Sequence, residues 1–111
     1  MNWPLAFVLT VTLETLVVFL FFRKDTPLSR ILIAGVLANA VTHPFVWFLF
    51  PRLATTYGTY ILMAEIFAFV IEIPIIFLII RPKPWYMSIA ASAAANGVSY
   101  GVGILLYAYI L

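Results

Sequence analysis

Four apolar runs, each near the length that crosses a bilayer, occupy about 3–22, 31–50, 60–80 and 85–106 of this 111-residue chain. A hydrocarbon core about 30 Å thick is spanned by roughly 20 helical residues, so four such runs constrain the fold more than any motif could. The punctuation agrees. Arg23-Lys24-Asp25-Thr26-Pro27-Leu28-Ser29-Arg30 separates the first two runs, and Pro51-Arg52 with Thr55-Thr56-Tyr57-Gly58-Thr59 separates the next two. Arg81-Pro82-Lys83-Pro84 makes the last connector. The runs lack the alternation of a membrane β-strand, which argues against a β-barrel. Connections this short force sequential neighbours to run antiparallel. The expectation is an all-α polytopic membrane protein: an antiparallel four-helix transmembrane bundle forming one transmembrane domain over 1–111.

Composition narrows the function classes. Hydrophobic residues are 66% of the chain and charged residues 9%, against about 25% charged in a soluble domain. There are no cysteines, so disulfides, thiolate metal sites and thiol nucleophiles are excluded. A net charge of +2 with its basic residues at helix ends is not a nucleic-acid signature. The first run has no basic flank and ends in Arg23-Lys24-Asp25 where a signal peptide would carry small residues, so it reads as a retained span.

Basic residues also predict orientation. Arg23, Lys24 and Arg30 lie in the first loop and Arg81 and Lys83 in the third, against Arg52 alone in the second. The positive-inside rule then places the first and third loops in the cytoplasm and both termini outside. Trp3, Trp47 and Trp85, with Tyr57, Tyr60, Tyr86, Tyr107 and Tyr109, fall near span ends and read as interfacial anchors.

Against this background Glu14, His43, Glu65 and Glu72 stand out, each inside an apolar run with no lysine or arginine beside it. An ionisable group at bilayer depth costs several kcal/mol unless paired, protonated or wetted, so four on so small a chain point to an ion- or proton-handling site. Each span carries one polar or small stripe at helical spacing: Thr10 and Glu14; Gly35, Asn39 and His43; Glu65, Ala68 and Glu72; and Ser92, Asn96, Ser99 and Gly103. Pointing all four stripes at the bundle axis is the simplest arrangement. At a rise of about 1.5 Å per residue, Glu14, Asn39, Glu72 and Asn96 fall near one level at the midplane. His43 and Glu65 fall together nearer the outside, which predicts an outer pair.

The bland alternative is interhelical glue: Asn39 and Asn96 as hydrogen-bonding amides worth about 0.6–2 kcal/mol each, His43 as a core histidine, and Glu65 as a group near water. It must still neutralise three acids with one histidine. Carboxylates plus one imidazole suit Zn²⁺, Mn²⁺ or Fe²⁺, so Glu14, His43, Glu65 and Glu72 are the candidate ligands of a divalent metal. Neither a Glu-x-x-His nor a His-Glu-x-x-His spacing is present, however. A proton relay needs only acids and a histidine at stepped depths. Pro44 and Pro74, next to these residues, would free the carbonyls of Ala40 and Val70 and kink their helices, although proline is common in membrane spans. In the fourth span Ala93, Gly97 and Gly101 form a small-residue face suited to close helix approach, inside the bundle or between copies.

The combined pattern of Glu14, Asn39-x-x-Thr42-His43-Pro44, Glu65 with Glu72, and Asn96-x-x-Ser99 resembles a group of small four-span prokaryotic membrane proteins of unassigned function. The resemblance covers nearly the whole chain and implies the fold without a mechanism. The leading expectation is a site that binds or transports protons or a divalent cation, built from Glu14, Asn39, His43, Glu65, Glu72, Asn96 and Ser99. Four helices enclose little volume, so a homo-oligomer or a partner membrane subunit is expected within the lipid bilayer. An accessory or scaffold subunit of a larger complex is the alternative. A third, an intramembrane or lipid-processing enzyme, has one histidine and no evident oxyanion donors, so its catalytic residues stay unknown and a non-enzyme is the expectation.

Overall fold

The computed structural model describes residues 3–109, and the side chains of these apart from Trp3, Tyr57 and 106–109. The interfacial roles read for Trp3, Tyr57, Tyr107 and Tyr109 therefore lie outside the described residues.

The chain is helical almost throughout. Helix α1 covers Trp3–Phe22 and α2 covers Leu28–Pro44. A π-helical turn, Phe45–Leu49, and the short α3, Phe50–Leu53, prolong α2 without a break. Helix α4 covers Tyr57–Ile80 and α5 covers Met87–Tyr109. Four stretches, Pro4–Phe22, Leu28–Leu53, Gly58–Ile80 and Met87–Leu105, are long and apolar enough to cross a membrane. The molecule measures 41 × 27 × 19 Å, so its long axis exceeds the roughly 30 Å of a hydrocarbon core. It is a small helical membrane protein.

Local chemistry sets the helix ends. Proline at 27 has no amide hydrogen and directly precedes α2, a position where no donor is needed. The hydroxyl of Thr56 accepts from the amide of Thr59 at 3.1 Å and caps the start of α4. At its other end Arg81 turns left-handed (φ 53°) and donates its amide to Phe77 O at 3.0 Å, closing the helix in an αL cap.

The two helix prolines behave differently from the expected kinks. Pro44 ends α2, and the chain winds on through the wider π turn, which accommodates the missing hydrogen bond. Pro74 sits inside a continuous α4 with its ring exposed on the outer surface. The span ends also shift: the second span extends to Leu53, and Trp85 and Tyr86 sit in the turn before α5.

Around the bundle, α1 packs on α2, α2 on α4, α4 on α5 and α5 back on α1, leaving α1 and α4 facing across the diagonal. Toward the end formed by the first and third loops, Val18, Phe22, Ile31, Ala34, Ile76, Ile80 and Ala91 close an apolar layer. Toward the other end, aromatic contacts take over. Phe67 meets Phe45 and Phe50 at 5.3 and 5.1 Å, and Phe7 meets His43 edge-on at 5.2 Å. Between these two layers the interior is polar.

Candidate functional site

The buried polar side chains are Glu14, Asn39, Thr42, His43, Glu72, Ser88, Ser92 and Asn96. Most come from the stripes already traced, and helical periodicity explains why: residues three, four and seven apart share the face that each helix turns inward. Glu14 of α1 interacts with Asn39 of α2, Ser99 of α5 and Glu72 of α4. Glu72 in turn interacts with Asn96 of α5 and Thr42 of α2. The four residues read at one level, Glu14, Asn39, Glu72 and Asn96, thus meet in a single cluster fed by all four spans. Its centre is a carboxyl pair, 4% and 2% exposed, reaching across the diagonal of the bundle.

Counting donors shows what this pair lacks. Asn96 Nδ2 donates to Glu72 Oε1 at 3.1 Å and to Ser92 O at 2.9 Å, which uses both amide hydrogens. Asn39 Nδ2 donates to Gly35 O at 2.9 Å, keeping one hydrogen for Glu14. The hydroxyl of Thr42 donates to Ala38 O at 2.9 Å, and the same side chain lies beside Glu72. One oxygen in each carboxyl, Glu14 Oε1 and Glu72 Oε2, is buried without a partner. An unsatisfied buried acceptor costs about 1–3 kcal/mol. Among the described residues, no basic side chain acts on either carboxyl.

Second-layer contacts hold the cluster in place. Ser92 Oγ donates to Phe69 O at 2.8 Å and ties α5 to α4 beside Glu72. Gly35 lets α1 approach α2, since a Cβ there would run into the side chain of Thr15.

His43 and Glu65 face different neighbours. The imidazole packs against Phe7 of α1 and stacks on Trp47 at 6.0 Å. Glu65 lines a groove on the α4–α5 side with Gly58, Ile61, Leu62, Gly97 and Tyr100, and lies close enough to act electrostatically on Glu72. Among the described residues no three of His, Cys, Asp or Glu come together as a metal-binding group. The candidate metal ligands Glu14, His43, Glu65 and Glu72 therefore share no such centre.

The small face of α5 also turns out differently from its use inside the bundle. Ala93 and Gly97 are exposed, and nothing lies within 4 Å of a Cβ built at Gly97, Gly101 or Gly103. Ser88, Ala91, Ser92 and Ala95 supply the inward contacts instead. Thr42 was missed as a site residue, although its position three after Asn39 placed it on the same helix face. Ser88, fully buried with an unpartnered hydroxyl, lay one turn before the traced stripe.

Fold and cluster together define the class: a four-span helical membrane protein with a carboxyl pair buried on its axis. Comparison with family models, with curated proteins and with solved structures gives no match.

Proposed function

We propose that the protein handles protons inside the membrane, with Glu14 and Glu72 as a paired carboxyl site that binds one proton and exchanges it. The observation that carries this reading is the pair of open oxygens, one per carboxyl, between groups that already interact. Two facing carboxyls cannot cheaply ionise together, and one proton relieves both the repulsion and the missing donor. Asn39, Ser99 and Asn96 orient the two groups. The apolar layer from Val18 to Ala91 closes the pair off from the first- and third-loop end, so exchange proceeds toward the second-loop end, where Glu65 and His43 lie.

A proton site is favoured over a divalent cation because the cluster offers two carboxyls and amides but, among the described residues, no third acidic or imidazole ligand. The test is dissipation of an imposed pH gradient by proteoliposomes carrying an internal pH dye. Wild-type protein should collapse the gradient faster than empty liposomes, and Glu72→Gln should not. Equal rates for the two proteins would make Glu72 structural.

The accessory-subunit reading has one observation in its favour: the uncovered Ala93–Gly97–Gly101 face of α5. Purification in mild detergent with a stoichiometric partner chain would support it.

A further inference from the structure

We infer that the groove beside Glu65 is a second binding site, distinct from the carboxyl pair, and that it takes a lipophilic organic cation from the bilayer. Gly58, Ile61, Leu62 and Glu65 follow one another at three, one and three residues on α4, which places them on a single helix face. Gly97 and Tyr100 of α5 form the opposite wall. The volume is about 560 Å³, inside the range of about 300–1,000 Å³ that holds organic ligands. Gly58 and Gly97 leave it open, since a Cβ at either would meet nothing within 4 Å.

Chemistry selects the occupant. The groove carries one carboxyl, Glu65, and one phenol, Tyr100, on walls that are otherwise aliphatic or glycine. A hydrated inorganic ion would lose its water to walls offering almost no replacement oxygens, and a single carboxyl is too few for a divalent metal. A cation with an apolar body satisfies both parts: its charge meets Glu65, its body meets Ile61 and Leu62, and its face meets Tyr100. Depth separates a free ligand from a lipid headgroup. Glu65 lies eight residues into α4, about 12 Å along the helix, below the level where headgroup amines reside. A second copy of the chain fits less well, because a symmetric contact would bring two Glu65 carboxyls together without a cation between them.

The inference stands apart from the proton reading, because loss of proton exchange at Glu14 and Glu72 would leave groove binding intact. Its test is equilibrium binding of tetraphenylphosphonium to protein in nanodiscs of zwitterionic lipid. Saturable binding near one per chain is expected, at least tenfold weaker in Glu65→Gln and unchanged in Glu14→Gln. Gly97→Leu keeps the charge but fills the groove, so it should weaken binding similarly and serves where loss of Glu65 unfolds the protein. Neutral triphenylphosphine oxide should fail to compete. Binding no greater than in empty discs, full affinity in Glu65→Gln, or equal competition by the neutral compound would overturn the site. So would a wild-type dimer that binds no cation and that Gly97→Leu converts to monomer, which would assign the groove to a second copy.

Discussion

Asn96 Nδ2 lies 3.1 Å from Glu72 Oε1 and 2.9 Å from the carbonyl of Ser92, so one amide group both satisfies its own helix and donates to the acid of the next. That double commitment orients Glu72, whose other oxygen is buried without a partner among the described residues. Charge would ordinarily be excluded from such a position. The bundle tolerates it because every element around the pair contributes a polar group.

Replacing Asn96 with alanine removes the donor to Glu72 Oε1 while the acid stays buried. The expected loss is about 1–3 kcal/mol, the cost of leaving a buried acceptor unmet, read by reversible unfolding in mixed micelles. A change within about 0.5 kcal/mol, typical of substitutions away from such features, would mean that the bond is not formed in the membrane.

The pair should behave as one unit. Glu14→Gln and Glu72→Gln each substitute a neutral group that can donate to the remaining carboxyl, so both proteins should fold. The double variant should depart from the sum of the two singles by about 0.5–3 kcal/mol, the coupling expected of residues in one network. Additive effects would show that the two carboxyls act independently.

Glycines at 35 and 97 should respond in opposite directions. Alanine at 35 forces its Cβ against Thr15, an overpacking that costs about 1–3 kcal/mol. Alanine at 97 meets nothing within 4 Å and should stabilise by up to about 1 kcal/mol through helix propensity. Unfolding of the two variants side by side checks this, and equal effects would contradict the packing.

Topology is testable because the chain contains no cysteine. Cysteines introduced at Lys24 and Lys83 should label from the cytoplasmic side with an impermeant maleimide, and one at Arg52 from the opposite side. Labelling of positions 24 and 83 from different faces would rule out an even number of crossings between them.

The fold was legible because span length and the absence of alternation point to one answer. The cluster was legible in outline because in a membrane bundle polar residues turn away from lipid, so Glu14, Asn39, Glu72 and Asn96 could be aligned by depth alone. Rotation about each helix is a different matter, since depth says nothing about which neighbour a side chain faces. His43 and Glu65, read from the sequence at one level, face the α1 and α5 sides respectively. The Ala93–Gly97–Gly101 face illustrates the same point: spacing identifies a smooth surface, but only packing shows that it points outward. Thr42 was hidden because a threonine in an apolar run is as often bonded only to its own helix, as its bond to Ala38 partly is.

The most direct measurement is the infrared carboxylic-acid carbonyl band of the protein in bilayers, followed on transfer to heavy water. The account predicts a band in the wild type that shifts on exchange and disappears in both Glu14→Gln and Glu72→Gln, where the new amide replaces the shared proton. Absence of the band from the wild type, or its persistence unchanged in both variants, would contradict a proton held between these two residues.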